Sequence, residues 1–460
     1  MAQQRTEDRL LTMASKGDKK VGRNSGELPA QKQETQTGRP EMRVAILGFG
    51  TVGSSVAHLL RTQQFAGVRL THIYNRSVAR KQGSERAKQL DSGIVWTENV
   101  DDVLNSDADV IIETIGGLDP MQQWLERAIT SGKHVVTANK QLIAYHGAEL
   151  TQLARQHGVS LVYNAAVAGG VPVIPAVLHG LQGDRVMQIA GILNGTCNFI
   201  LSNMEAGADY HDVLEKAQAA GYAEADPTAD VDGYDARAKL CILARTAMQV
   251  GIDPDRVPVQ TIRNIRPVDF HYARDLNCTI RQIARVQVDG DTVRARVGPT
   301  LVPHTSPFAW SHGTQNLVMT TGEFGGDVVF SGHGAGGNPT AVAVVSDLLA
   351  VAHGSASVQL PVQQREVSRE LVAPHYLRFV VQDKPGIVSA ISGALAKVGA
   401  NIDSIVQRPG YPKDALPFVV TTEPCSTATI QQAVDAIAKM PTMLEEPLVL
   451  QILRDEDGGE

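Results

Sequence analysis

One stretch of the chain concentrates groups able to move protons or hold a charged ligand. Residues 221–239 carry Glu224, Asp226, Asp230, Asp232 and Asp235 in a turn-rich run, which then enters an apolar helix near Tyr234 and ends on Lys239. Asp235 and Lys239 are four residues apart, so on that helix they share a face. Judged on spacing alone, an exposed Asp–Lys pair worth roughly 0.3 kcal/mol accounts for them better, and the acids could equally form a solvated or capping loop. Two other polar segments fall at the ends of apolar strands, Thr137-Ala138-Asn139-Lys140 and Asn194-Gly195-Thr196.

Gly48-Phe49-Gly50-Thr51-Val52-Gly53 follows the run Val44–Leu47 and opens a helix over Thr51–Arg61. In GxGxxG the first glycine permits a tight turn, the second lets a pyrophosphate approach the backbone, and the third lets helix pack on strand. The phosphate would sit on the outward N–H groups of the helix N-terminus. A bare GxGxxG is weak evidence, but its strand–turn–helix setting makes it a strong sign of dinucleotide binding. A site for NAD usually closes the second strand with Asp or Glu. Here that strand, Leu70–Tyr74, runs into Asn75-Arg76-Ser77. Arg76 could pair with a 2′-phosphate, so NADP(H) is expected as cofactor, with NAD possible; a lone arginine can also be a solvated surface charge.

The elements that must position these groups alternate. Further strands are expected at Asp109–Glu113, before a Gly116-Gly117 turn, and at His134–Thr137. Asp119-Pro120 should start a helix as N-cap and first-turn proline, and Gln141–His157 should be helical. This βαβα rhythm predicts a doubly wound parallel sheet of Rossmann type over 42–166. After about residue 170 the pattern changes. Arg185–Leu193, Gly322–Ser331 and a hairpin of Ile283–Val288 and Val293–Val297 about Asp289-Gly290-Asp291 imply an α+β domain over 167–353. Asn338-Pro339 should cap an apolar helix, 340–353, that returns to the first domain. Residues 354–374 read as a linker, and 375–455 follow the ferredoxin-like βαββαβ order.

Composition sets the class. The 460 residues are 43% hydrophobic and 20% charged, enough for two or three globular domains. A net charge of −7 without a long Lys/Arg run argues against nucleic acid or an anionic membrane as partner. No apolar run approaches the ~20 residues that span a bilayer. The four cysteines, Cys197, Cys241, Cys278 and Cys425, are scattered, which fits a reducing cytoplasm rather than a disulfide framework or zinc site. Residues 1–41 are polar, aperiodic and expected to be a disordered extension.

The segments GFGTVG, ETIGG (113–117), TANK, AGGVP (168–172), NGT, GYAEADPTADVDGYDARAK and GAGGNPTA (334–341) occur in the order found in homoserine dehydrogenases. The chain resembles that family from about residue 43 to its C-terminus. With no aspartokinase-like domain preceding, the resemblance is to the monofunctional form with a C-terminal ACT domain. It implies reversible interconversion of L-aspartate 4-semialdehyde and L-homoserine, feeding threonine, isoleucine and methionine synthesis. It implies that Lys239 is the general acid, that Asp235 orients substrate, and that Glu224, Asp230 and Lys140 bind it. Cofactor contacts are implied for Gly48, Phe49, Gly50, Thr51, Val52, Gly53, Arg76, Thr114, Lys140, Gly221 and Gly334. The chemistry is consistent, since aldehyde reduction needs a hydride donor and a proton donor at one oxygen.

The resemblance also implies a homo-oligomer, dimer or tetramer, and an amino-acid effector, threonine being the obvious one, near Asp383-Lys384-Pro385-Gly386-Ile387 of the ACT segment. A structural pairing role for that segment is a serious rival. The family often holds a monovalent cation on one Glu and loop carbonyls. Val167, Gly169 and Val171 match the carbonyls, but Asn164 stands where the Glu is expected, so weak or absent cation binding follows. Two other readings remain: another NAD(P)-dependent amino-acid dehydrogenase, or a non-catalytic sensor of NADP and amino acids.

Overall fold

The computed structural model describes residues 41–356, 362–368 and 370–454. Apart from Glu41, the expected N-terminal extension lies outside the described residues, as do 357–361 and 369 of the expected linker and 455 at the end of the last expected domain. None of the helices among the described residues is long and apolar enough to cross a membrane.

The first sheet is wholly parallel. Its strands are β1 (Met42–Leu47), β2 (Val68–Tyr74), β3 (Val95–Thr97), β4 (Val110–Glu113), β5 (His134–Thr137) and β6 (Leu161–Val162), in the order β3-β2-β1-β4-β5-β6. Helices α1 (Thr51–Gln63), α2 (Met121–Thr130) and α3 (Lys140–Gln156) connect them. Val44, Ala45, Ile46, Leu47, Val110, Ile111 and Ile112 are fully buried, as expected of strands covered on both faces. The order reverses between β1 and β4, which opens a crevice beyond their carboxyl ends.

Two local expectations for this domain need correction. Strand β3 was not foreseen: it is three residues long and its Val95 is exposed, so it carries no periodic signal. Helix α2 begins at Met121 with Pro120 at the N-cap position and no side-chain cap, so Asp119 lies one residue before the cap and Pro120 outside the first turn.

The rest of the chain forms one larger mixed sheet. Its first part comprises β7 (Val186–Ile192), β8 (Cys278–Asp289), β9 (Thr292–Pro303), β10 (Gln315–Gly322) and β11 (Gly326–His333). These strands pair antiparallel, backed by α4 (Gly195–Glu205) and α5 (Tyr234–Met248). The single strand expected over 322–331 is thus the end of β10, a turn and most of β11. Gly326 turns the chain at positive φ, and the Asp184 carboxylate accepts from Phe324 N (3.1 Å) and Gly325 N (2.7 Å). Helix α6 (Pro267–Asp275) lies on β8. Helix α7 (Gly337–Ala352) returns to pack on α1, where a Cβ at Gly337 would meet Thr51 O at 3.0 Å. Gly336 occupies its N-cap, so Asn338-Pro339 lie inside the first turn and do not cap it. Proline is tolerated there because first-turn N–H groups have no intrahelical acceptor.

The C-terminal βαββαβ unit comprises β12 (His375–Val381), α8 (Ile387–Lys397), β13 (Ile402–Val406), β14 (Leu416–Thr422), α9 (Thr427–Ile437) and β15 (Leu448–Ile452). It does not stand apart: β15 pairs parallel with β9, giving the continuous order β11-β10-β7-β8-β9-β15-β12-β14-β13. A buried ion pair reinforces this join, Arg378 on β12 meeting Asp269 on α6 at 2.5 Å, while Tyr376 Oη donates to the same carboxylate at 2.8 Å. The expected linker is also structured in part. Gln363–Gln364 pairs with Val250–Gly251 and Val372–Ala373 with Cys425–Ser426. Such pairings are long-range and leave no local periodicity to read.

Candidate active site

The crevice at the ends of β1, β4 and β5 meets the acid-rich segment and the turn before α7 in one cleft of about 590 Å³. Of the residues singled out in the sequence, the cleft gathers Thr51, Val52, Thr114, Lys140, Gly169, Glu224, Asp230, Asp235, Lys239 and Gly334. Gly48, Phe49, Gly50, Gly53, Arg76, Gly221, Val167 and Val171 are not in its lining. The Phe49 side chain is buried edge-on against Trp96, so any ligand contact there must come from its backbone. Arg76 is exposed just beyond β2, and Gly221 is an exposed positive-φ turn.

Helix α5 begins at Tyr234 because Gly233, at φ 89°, ends the preceding turn in a conformation that favours glycine. Asp235 and Lys239 then fall one turn apart on its buried face, only 6% and 8% exposed. An exposed surface pair is therefore excluded. Lys239 Nζ donates to Asp235 Oδ2 at 2.6 Å and to Leu193 O at 2.8 Å. From the other domain, Lys140 at the start of α3 ion-pairs with Asp235 Oδ1. Asn194 caps α4, accepting from Cys197 N at 2.9 Å, and its Nδ2 bridges Asp230 Oδ1 (2.7 Å) and Asp235 Oδ2 (2.9 Å).

These contacts set the charges. Burial alone would raise the Asp235 carboxyl, but the two ammonium groups outweigh it and hold the group well below the usual range. Burial pulls Lys239 below an ordinary lysine against the opposing pull of Asp235, with Lys140 adding to the decrease. Lys140 is raised, chiefly by Asp235. Asp230 is raised by burial and then by its neighbour Asp235. The cluster places two lysines of opposite tendency on one carboxylate.

Glu113 plays a part that sequence reasoning missed. It is fully buried, and burial raises its carboxyl. Its Oε1 accepts from Ile115 N (2.7 Å) and Gly116 N (2.8 Å), and its Oε2 from Thr137 Oγ1 (2.5 Å). Asn139 Nδ2 donates to Gly117 O at 2.6 Å. Glu113 thus ties together the loops after β4 and β5, and through them fixes Lys140. The acidic end of ETIGG was its only signal. Asn194 was visible as a polar strand end, but its double bond to two carboxylates was not.

The glycine-rich turn fits a dinucleotide. A Cβ at Gly53 would lie 2.0 Å from Gly48 O, so α1 can approach β1 only with glycine there. A Cβ at Gly50 meets nothing within 4 Å, α1 has no side-chain cap, and its first turn has no acid. Its free N–H groups are therefore open to an anion.

At the 164–171 loop, where weak or absent cation binding is expected, the side chain of Asn164 is turned to a carboxylate. Asn164 N donates to Asp347 Oδ2 on α7 at 2.9 Å, and its Nδ2 donates to Oδ1 of the same carboxylate. The Val171 carbonyl already accepts from Val173 N at 2.8 Å. Asp347 is 1% exposed, and burial pushes its carboxyl up to about 7.

A parallel 3-2-1-4-5-6 sheet with an anion-binding glycine turn, facing a buried lysine–carboxylate cluster, defines a nicotinamide-dependent oxidoreductase. The family models agree in detail: homoserine dehydrogenase NAD-binding domain over residues 48–164, homoserine dehydrogenase over 172–349, and ACT domain over 375–442. Homoserine dehydrogenase of Synechocystis is 35% identical over 90% of this chain and 99% of its own length. That of Bacillus subtilis is 37% identical over 82% and 90%. The crystal structure of a homoserine dehydrogenase from Thiobacillus denitrificans superposes with a TM-score of 0.82 at 33% identity, covering 90% of this chain and 98% of that one. The chain belongs to the homoserine dehydrogenase family, NAD(P)-dependent oxidoreductases acting on a CH–OH group, and it carries an ACT domain.

Proposed function

We propose that this chain interconverts L-aspartate 4-semialdehyde and L-homoserine with NADP(H), on the route to threonine, isoleucine and methionine, and that Lys239 carries the proton. The observation that supports this most is the hydrogen-bonding of the Lys239 ammonium. Of its three donors, two are committed to Leu193 O and Asp235 Oδ2. The third is left for an oxygen in the cleft, which holds the ammonium in one orientation.

The cofactor, when bound, supplies or accepts the hydride. The turn Gly48–Gly53 and Thr114 would hold it, with Gly334 on the opposite wall. In reduction, Lys239 gives its proton to the carbonyl oxygen as that oxygen gains charge. In oxidation, the neutral amine takes the hydroxyl proton back, and the low affinity of Lys239 for its proton favours that step. Asp235 positions Lys239, and the ammonium groups of Lys239 and Lys140 on either side of it suit a developing alkoxide. Glu224 and Asp230 are acceptors for the substrate ammonium. Arg76, beyond β2 where NAD sites carry an acid, favours NADP over NAD. The ACT domain supports an amino-acid effector near Asp383–Ile387, threonine being the first candidate, and a dimer or tetramer is the expected assembly.

The test is NADPH oxidation with L-aspartate 4-semialdehyde, followed by NADPH formation from NADP and homoserine. Turnover in both directions, absent with aspartate, is expected. Failure with the semialdehyde, or equal turnover of unrelated aldehydes, would remove the reading.

A further inference from the structure

A second cleft, about 1080 Å³ and larger than the catalytic one, lies where the catalytic sheet joins the ACT unit. It shares no residue with the catalytic cleft. Its walls come from the 255–260 strip, β9, the start of β12, α9 and β15. Arg296 on β9 lies at its base and also lines an adjoining hollow of about 310 Å³ that carries Arg285, Arg294 and Arg454.

Arg296 is oddly placed for a structural arginine. Its Nη2 donates to Gln260 Oε1 at 3.0 Å, a neutral acceptor. Its Nη1 is buried with no hydrogen-bond partner among the described residues. None of the ion pairs among the described residues includes it. Burial alone pulls the guanidinium down to about 10, with no carboxylate to oppose it. The Nε2 of His375, in the same cleft, is likewise buried without a partner. Burial first and Arg296 second push that imidazole down to about 4, so it is neutral. A buried charge left without a counter-charge costs stability unless something else supplies one. Two buried arginines here have such a partner, Arg281 bonding Glu205 at 2.8 Å and Arg378 bonding Asp269 at 2.5 Å. Arg245, which is in no ion pair among the described residues, lies over the Tyr163 ring instead, whereas half-buried Arg296 has neither. The lining of the cleft also includes Glu366, an exposed acceptor for an ammonium, and Thr427, Gln431 and Gln451 add neutral hydrogen-bonding groups.

We propose that this junction cleft binds a free α-amino acid, its carboxylate on Arg296 and its ammonium toward Glu366. The strip beside it gives the site a short route to the catalytic cleft. Gln260, the partner of Arg296, donates through Nε2 to Val449 O of β15 at 2.8 Å. The next two residues reach the acid-rich segment: Thr261 Oγ1 donates to Asp232 Oδ1 (2.7 Å) and Ile262 N to Val231 O (3.0 Å). Val231 and Asp232 lie between Asp230 and Asp235. A carboxylate that draws Arg296 away from Gln260 therefore acts on a strip bonded both to the ACT unit and to the turn carrying the catalytic acids.

The test uses the full chain, reading the thermal midpoint and titration calorimetry with L-threonine, L-valine, L-aspartate and, as a competing anion, inorganic phosphate. At least one amino acid should bind and raise the midpoint. Arg296→Gln should weaken that binding at least tenfold without lowering the midpoint of the ligand-free protein, since it removes an uncompensated charge. Arg296→Lys, which keeps the charge and guards against a folding defect in the first variant, should retain weakened binding. The proposal is overturned if no amino acid binds, if binding is confined to phosphate, or if it survives intact in Arg296→Gln, as it would for a site on the Asp383–Ile387 loop. A large fall in the ligand-free midpoint of Arg296→Gln would also overturn it, by making the arginine structural.

Discussion

Two buried carboxylates, Asp235 and Asp347, both pair with residues of the 42–166 region, and they are treated oppositely. Asp235, on the floor of the catalytic cleft, is matched by two ammonium groups and an amide, and stays ionised. Asp347, on the helix that returns to the cofactor domain, is matched only by neutral donors, the backbone and side-chain amide of Asn164 and the backbone of Ala165, and its carboxyl rises to about 7. Burial pushes both the same way. The difference lies in the partners: a full counter-charge outweighs desolvation, whereas neutral donors do not. One carboxylate is therefore equipped to hold a charged reaction centre and the other to join two elements without one.

The largest effect that would break this comparison lies at Lys239. Lys239→Ala should lower turnover in both directions by about 10²–10⁴-fold, the usual worth of positioned proton transfer, while NADPH binding by fluorescence titration survives. Asp235→Asn should in addition shift the pH profile. Asp235 raises the proton affinity of Lys239, so its loss should move the rising limb of homoserine oxidation to lower pH. Near-normal turnover in Lys239→Ala would mean that the buried cluster serves stability only.

Asp347 offers the thermodynamic counterpart. Its folded value of about 7 lies above the 3.8 of a free side chain, so the folded state binds the proton more tightly than the unfolded one. Stability should fall as pH rises from about 4 to about 7 and then level off. Asp347→Asn removes that dependence. It should be neutral near pH 4 and stabilise by up to about 4 kcal/mol at pH 8, taking about 3 units at 1.36 kcal/mol each. Denaturant midpoints of both proteins across this range would show it. A pH-independent difference would mean that Asp347 is ionised as Asp235 is.

What could be read in advance follows the same division between local and distant partners. Most of the cofactor domain was legible because Val44–Leu47, Val110–Ile112 and Val135–Val136 are continuous apolar runs and GxGxxG marks the first crossover, whereas the short β3 and β6 carry no such signal. The acid-rich segment stood out because its residues are neighbours in sequence, but spacing alone favoured an exposed pair, and its chemistry was implied only by the resemblance. The bond between Asn164 and Asp347 joins residues 183 apart, and nothing near either one announces the other. The pairing of β15 with β9 is of the same kind, so the ACT unit looked separable when it extends the catalytic sheet. Glu113 was read as the end of a strand, because only the folded loops reveal the N–H groups it receives.

A smaller effect is expected at Arg76, which is exposed and forms no ion pair among the described residues. Arg76→Asp should shift the ratio of kcat/KM for NADP over NAD by about tenfold toward NAD, the loss of one charge-assisted contact worth about 1.4 kcal/mol. Steady-state kinetics with both cofactors decide it. An unchanged ratio would mean that the guanidinium does not reach the 2′-phosphate.

The smallest effect should come from monovalent cations, and it bears most directly on the Asp347 side of the comparison. Carbonyls of Val167, Gly169 and Val171 with a carboxylate at 164 would attract sodium or potassium. Here the amide of Asn164 is turned to Asp347, and Val171 O already accepts from Val173 N. A neutral amide brings no charge to repay the dehydration of a hard cation. Activity in a buffer whose only cation is bulky and organic should therefore change little when sodium or potassium is added at constant ionic strength. Asn164→Glu sharpens the point, because it sets a second carboxylate against Asp347, and two such groups cannot both ionise without help. That variant should melt below the unmodified protein in organic-cation buffer and recover on adding sodium, which would then compensate the pair. Strong sodium activation of the unmodified protein would show that Asp347 and the loop carbonyls attract a cation unaided, and would put Asp347 in the same class as Asp235.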